Sequence, residues 1–168
     1  DTLTYTFKLK SGATFQDGSP VEAKDVVYSV NRLLTINEGP AYLFEGVLGP
    51  DSVKAINSST VEFKLNKVYT PFLTNTPILF VINSDVANAN KTDSDPWAQD
   101  FIANNSIGAG AYKMDSWDRG ATMTMKAYEG YHLGWSDQPV MEVRFIVTNE
   151  EATVKALAAS GELSMSSD

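Results

Sequence analysis

The side chains best able to do chemistry are few, and their spacing does not suit catalysis. His132 is the only histidine and there is no cysteine. Nucleophilic catalysis needs a hydroxyl or thiol activated by a nearby base, and no Gly-x-Ser-x-Gly elbow is present. A lone histidine beside Tyr131 and Trp135 has no partner to relay a proton, so packing or surface placement accounts for it. Glu150 and Glu151 are adjacent; on a helix they would diverge by about 100° and cannot act as a carboxylate pair. They suit the positive end of a helix dipole instead. Asp93-Ser94-Asp95 resembles part of a calcium loop, but the glycine and the distal glutamate of such a loop are missing. Gly108-Ala109-Gly110 lacks the third glycine and the helix opening of a dinucleotide site. The residues therefore predict no catalytic group, no metal site and no cofactor.

Composition narrows the class further. A chain of 168 residues holds one good-sized core or two small lobes. Apolar residues at 43% and aromatics at 11% indicate a folded globular protein. The net charge of −8 speaks against nucleic acid and anionic membrane surfaces, both of which select basic patches. Without cysteine there are no disulfides and no thiol chemistry. No apolar run approaches the roughly 18 residues of a membrane span, and no signal peptide is recognisable. The chain opens directly on strand residues, which reads as a piece of something longer.

Periodicity supplies the elements. Leu3, Tyr5, Phe7 and Leu9 alternate with Thr4, Thr6, Lys8 and Lys10, the period of a strand with one buried face. Turns follow at Ser11-Gly12 and Asp17-Gly18. Ala23, Val26, Val27, Val30, Leu33 and Leu34 recur at helical spacing. That helix opens either on a Ser19/Glu22 capping box with Pro20 at its first position, or near Glu22 with Pro20-Val21 extended. Val53 to Ile56 and Thr60 to Leu65 read as a hairpin across Asn57-Ser58-Ser59. Thr70 and Pro71 are expected to open a short helix, Ile78 to Ile82 a buried strand, and Trp97 to Ile102 another short helix. Tyr112, Met114 and Ser116 alternate with Lys113, Asp115 and Trp117 in a second hairpin that returns over Thr122 to Ala127. Val140 to Val147 is a further strand. Thr148 and Glu151 predict a capping box for a helix through Ala159, with Gly161 as its stop. Leu163 to Met165 is read as the start of a strand.

One resemblance runs through this pattern. Tyr5-Thr6-Phe7-Lys8-Leu9-Lys10, Gly12, Phe15, Asp17-Gly18, Pro20 and Ala23-Lys24-Asp25-Val26-Val27-Tyr28-Ser29 resemble the signature of family 5 extracellular solute-binding proteins. These are the peptide, oligopeptide and nickel receptors of bacterial ABC importers. Gln16 stands where the family often has His or Ser, and reads as drift at a turn surface. Gly108-Ala109-Gly110-Ala111-Tyr112 resembles the family's Gly-Thr-Gly-Pro-Tyr segment. Tyr131 with Gly134-Trp135 resembles its Tyr-Trp-Gly segment, here split by His132 and Leu133. Val143-Arg144-Phe145, Glu151-Ala152, Ala156-Leu157 and Ser160-Gly161-Glu162 resemble the strand-helix-strand that follows. The likeness runs from about Leu3 to Met165.

The resemblance implies an α+β fold: part of a periplasmic-binding-protein-like lobe, of the type II peptide-receptor class, with mixed sheets and flanking helices. It implies that residues 1–106 form a small subdomain of the large lobe and 107–168 a partial ligand-proximal subdomain, with the second lobe absent. It implies a non-enzymatic, periplasmic or extracellular binding protein that hands a peptide or other small solute to a membrane permease. The ligand class spans peptides, nickel chelates, opines and sugars; the groups that hold peptide termini belong mainly to the missing lobe. The same likeness places Tyr42 and Phe44 near the cleft, where each is either a ligand-facing or a core aromatic. Gly108 and Gly110 permit close backbone approach or an unusual φ, or else serve a crossing between subdomains. Tyr112, Trp117, Tyr131 and Trp135 are read as core. An apolar face left open where the missing parts dock is expected to drive self-association. A structural or interaction module reusing the scaffold is the alternative.

Overall fold

The structure is a computed structural model that describes residues 3–148 and 150–165. The first strand, β1 (Thr4–Lys8), lies where alternation puts it. It pairs antiparallel with β3 (Thr60–Lys64), which pairs antiparallel with β2 (Val53–Asn57), giving a three-stranded sheet in the order β1-β3-β2. The register sets Tyr5 opposite Phe63 and Phe7 opposite Val61, so the apolar sides of both strands share one face. The helix α1 (Ala23–Ile36) covers that face with Ala23, Val26 and Val30. Between them lie Phe44, Phe63, Leu65 and Phe72, all buried. Phe72 is the hub: its ring is fully buried and lies 4.8 Å from Tyr5 and 5.6 Å from Phe63. Removing such a ring from water is worth about 2–3 kcal/mol.

The start of α1 takes the second of the two predicted forms. Glu22 is the N-cap, and a reciprocal box links it to Asp25, whose carboxylate accepts the Glu22 N–H at 2.8 Å. Ser19 is not the cap; its hydroxyl donates to Asp17 instead. The helix ends at Asn37, in the left-handed region at φ 55, with its N–H returned to Leu33.

The middle of the chain is made of short pieces: a 3₁₀ turn over Gly39–Phe44, α2 (Phe72–Asn75), a second 3₁₀ turn over Thr76–Ile78, α3 (Ser84–Ala89) and α4 (Gln99–Ile102). Pro71 caps α2 from outside, one residue later than Thr70 was expected to. The strand expected over Ile78 to Ile82 does not form. Pro77 seeds a 3₁₀ turn, and only Ile82 makes a bridge, to Gly108. With no neighbouring strand, the run lays Ile78, Leu79 and Ile82 along α1 and leaves Phe80 78% exposed.

A second antiparallel sheet has the order β4-β5-β6, from β4 (Tyr112–Asp118), β5 (Thr122–Ala127) and β6 (Glu142–Ile146). A bulge between Met114 and Ser116 shifts the alternation predicted for β4. Met114 pairs with Met125 and Trp117 with Met123, so Trp117 joins the methionine face and Ser116 the opposite one. Val143 and Phe145 continue these two rows on β6. The last helix, α5 (Glu151–Ser160), is capped by Glu150 and not by a Thr148/Glu151 box. Thr148 instead accepts the Glu150 N–H, and Glu150 accepts the Thr153 hydroxyl. Gly161 ends the helix as expected, at φ 77. Leu163 to Met165 does not form a strand.

Candidate functional site

The two aromatics of the 3₁₀ turn at Gly39–Phe44 part company. Phe44 is fully buried and packs in the α1–sheet core. Tyr42, two residues earlier, is 71% exposed. A 3₁₀ turn has three residues per turn, so neighbours two apart cannot both face the core. The turn therefore holds out an aromatic ring with a phenolic hydroxyl on a rigid, buried base. Pro40 of the same turn lines an open groove with Ser29, Val30, Leu33, Leu79 and Phe80.

Gly108 and Gly110 do not use the freedom of glycine in the expected way. Neither lies at positive φ, and a Cβ at Gly110 would meet nothing within 4 Å. Both are gripped through their carbonyls. The Gln16 N–H donates to Gly108 O at 3.0 Å. The Gln16 carboxamide donates to Gly110 O at 3.1 Å and Tyr112 O at 2.8 Å, and its oxygen accepts the Ser106 hydroxyl. On the other edge, Asn83 N–H donates to Ile107 O at 2.9 Å. Gln16 is thus a clip on the ribbon that joins the two sheets, not surface drift at a turn. No local pattern could have revealed this, because the bonded groups lie more than 90 residues away in sequence.

The segment before α1 makes two further contacts with the second half of the chain. Lys10 donates to His132 O at 2.7 Å, and the Thr14 hydroxyl meets the Tyr128 hydroxyl at 2.8 Å. Trp135 donates its indole N–H to Tyr128 O and packs on Tyr112 and Tyr131. His132 stacks edge-on against Tyr131, a packing role. Trp117 departs from the core reading: it is 43% exposed, with the Arg119 guanidinium 3.9 Å over its ring.

A polar knot holds the other end of the ribbon. Asp25, 1% exposed, accepts both the N–H and the hydroxyl of Ser84. Ser29 donates to Asp25 O and accepts the Ile82 N–H. Asn83 caps α3 with its oxygen and donates to Asp17 and Ser19 with its nitrogen. The Ser19 hydroxyl, then its backbone N–H, hold the Asp17 carboxyl below the usual range. Motif residues Asp17, Asp25 and Ser29 are therefore anchors of the scaffold. Among the described residues no group of three His, Cys, Asp or Glu side chains is placed to hold a metal.

This fold, two small antiparallel sheets with flanking helices and an aromatic held out from a buried base, is that of a lobe of a periplasmic-binding-protein-like receptor. The chain belongs to the bacterial extracellular solute-binding proteins, family 5, whose model matches residues 1–168. It is 35% identical over 127 residues to the probable D,D-dipeptide-binding periplasmic protein of Escherichia coli, covering 74% of this chain and 23% of that protein. It is 26% identical to the oligopeptide-binding protein of Bacillus subtilis, covering 97% of this chain and 32% of that one. Among solved structures, the ABC transporter substrate-binding protein CtaP of Listeria monocytogenes superposes with a TM-score of 0.80 at 28% identity, over 97% of this chain and 33% of that one. The chain thus spans from under a quarter to about a third of the length of these proteins.

Proposed function

We propose that this chain is part of the substrate-binding component of an ABC importer. It supplies one wall of an interlobe cleft that takes up a peptide-like small solute, in the periplasm or outside the cell, for delivery to a membrane permease. Residues 1–106 form the small subdomain of the large lobe and residues 107–168 part of the ligand-proximal subdomain. The role is binding, not turnover. The observation that carries the reading is Tyr42, a large exposed ring on a turn fixed by the buried Phe44. Aromatic surface of this kind receives ligand side chains while its hydroxyl fixes orientation. Gly108 and Gly110 shape the same wall through the ribbon clipped by Gln16.

A solute pocket buries about 70–90% of its ligand, which one wall cannot do. Closure of two lobes by hinge motion completes it. Calorimetry tests this directly. The receptor carrying this chain binds short peptides saturably, and the chain alone binds them weakly or not at all. Tight saturable binding by the chain alone overturns the reading. The exposed Trp117 and Phe145 on the methionine side of the second sheet support self-association of the isolated chain.

A further inference from the structure

One contact between the two halves of the chain stands apart from the rest. Arg119 sits on the tight turn between β4 and β5, closed by the Ala121 N–H on Asp118 O with Gly120 at φ 81. From there its guanidinium reaches back to the end of α4. A terminal nitrogen donates to Ala103 O at 3.2 Å and to the Asn104 side-chain oxygen at 2.7 Å. Ala103 is the C-cap of α4, so its carbonyl has no partner inside the helix. Asn104 is set for the contact: its nitrogen donates to Asp100 O, which leaves its oxygen to accept from Arg119. The guanidinium carbon also lies 3.9 Å from the centre of the Trp117 ring. Among the described residues no carboxylate pairs with Arg119. Neutral acceptors and a ring hold it, which suits a flat, weakly hydrated cation.

The place of this contact matters more than its strength. Among the described residues, the other hydrogen bonds from residues before 107 to the ribbon and the second sheet gather at the Tyr112 end. Gln16 grips Gly108, Gly110 and Tyr112, and Asn83 holds Ile107. Thr14 and Lys10 reach Tyr128 and His132, just past the end of β5. Tyr128 donates to Ala111 O, which keeps that loop beside the start of β4. Strand β4 has 7 residues. At about 3.3 Å per residue, Arg119 stands about 20 Å from this cluster. Ties gathered at one end of a strand make a pivot; a tie at the far end removes the rotation. We propose that Arg119 is a positioning residue for solute binding. It latches the far end of β4 to the end of α4 and fixes the angle of the second sheet. The Gly108–Gly110 ribbon, which runs from α4 into β4, is thereby held in place in the cleft wall. The effect on affinity rests on the function proposed above, whereas the latch is geometry within the chain. Releasing the latch lowers the fraction of free receptor whose wall is in place, so it slows association and leaves dissociation as it was. Loss of a direct ligand contact does the reverse.

The test measures distances between spin labels in the receptor carrying this chain. One label goes on Lys54→Cys in the first sheet, the other on Lys113→Cys or Ser116→Cys in β4; the chain has no cysteine of its own. Arg119→Ala broadens the distances from position 54 to position 116 and leaves those to position 113 narrow. In the same variant, the tightest binder from a set of di- and tripeptides associates about threefold more slowly and dissociates at the original rate. Distances to position 116 that stay narrow overturn the latch. Equal broadening at both positions overturns the pivot. A broadened far end with association unchanged, or with faster dissociation instead, overturns the positioning role while the proposed function stands. A receptor that binds none of the peptides overturns the proposed function, and the distances still decide the latch.

Discussion

The carboxylate of Asp25 and the hydroxyl of Ser84 meet at 2.5 Å, 59 residues apart in sequence and both buried. The same carboxylate takes the Ser84 N–H at 3.0 Å and, through its other oxygen, the Glu22 N–H at 2.8 Å. One side chain thereby closes the start of α1 and pins the start of α3. Replacing Asp25 by Ala strands three donors in a dry site and is expected to cost about 3 kcal/mol. Ser84→Ala removes one hydroxyl and costs about 1 kcal/mol. Urea denaturation checks both, and the double variant should lose less than the sum, because the two residues share one bond.

Tyr42 and Phe44 separate stability from binding. Phe44→Ala is expected to cost about 3–5 kcal/mol, since it empties a core site. Tyr42→Ala should change stability by no more than about 0.5 kcal/mol. In the receptor carrying this chain, the same Tyr42 change should weaken solute binding about tenfold, the loss of a contact worth roughly 1.4 kcal/mol. Titration calorimetry showing unchanged affinity would remove Tyr42 from the cleft.

Gln16 offers a sharper contrast. Gln16→Ala deletes the carboxamide clip and is expected to cost about 1 kcal/mol. Gln16→Glu aims a carboxylate at the Gly110 and Tyr112 carbonyls and should cost about 2 kcal/mol, despite the near-identical shape. Hydrogen exchange read at the amides of residues 108–112 should quicken in both, and more in the glutamate variant. If the two variants behave alike, repulsion at the carbonyls is not what the clip controls.

Acid should loosen the knot around Asn83. The Ser19 hydroxyl and N–H hold Asp17 below the usual 3.8, and the backbone N–H groups of Gln99 and Asp100 do the same for Asp95. A folded pKa below the unfolded one means the unfolded chain binds more protons as pH falls. These two groups therefore contribute stability that is present above about pH 5 and is lost as pH drops through their folded values. Asp17 is exposed and Asp95 only half-buried, so the effect is modest. Urea midpoints measured from neutral pH down to about 3 should fall, and Asp17→Asn should flatten part of that slope. An unchanged slope would mean that Asp17 is not held as described.

Strands and helices whose signal is local were legible in the sequence. Alternation over Leu3 to Leu9, the apolar stripe of α1 and the Gly161 stop each depend on neighbours within a turn or a strand. The ordered motif from Tyr5 to Ser29 pointed to the family for the same reason: its residues shape one strand, one turn and one helix start. What the motif residues do was not legible, because Asp25 reaches Ser84 and Gln16 reaches Gly110, partners that only the folded chain brings near. The apolar run at Ile78 to Ile82 failed as a strand because a strand is a relation between two segments, and a second segment meets it only in the single bridge of Ile82 to Gly108. Tyr42 and Phe44 look interchangeable in the sequence, and Trp117 was read as core. Tertiary structure decided all three, since burial is set by which side of a turn, or of a bulge, faces the packed layer.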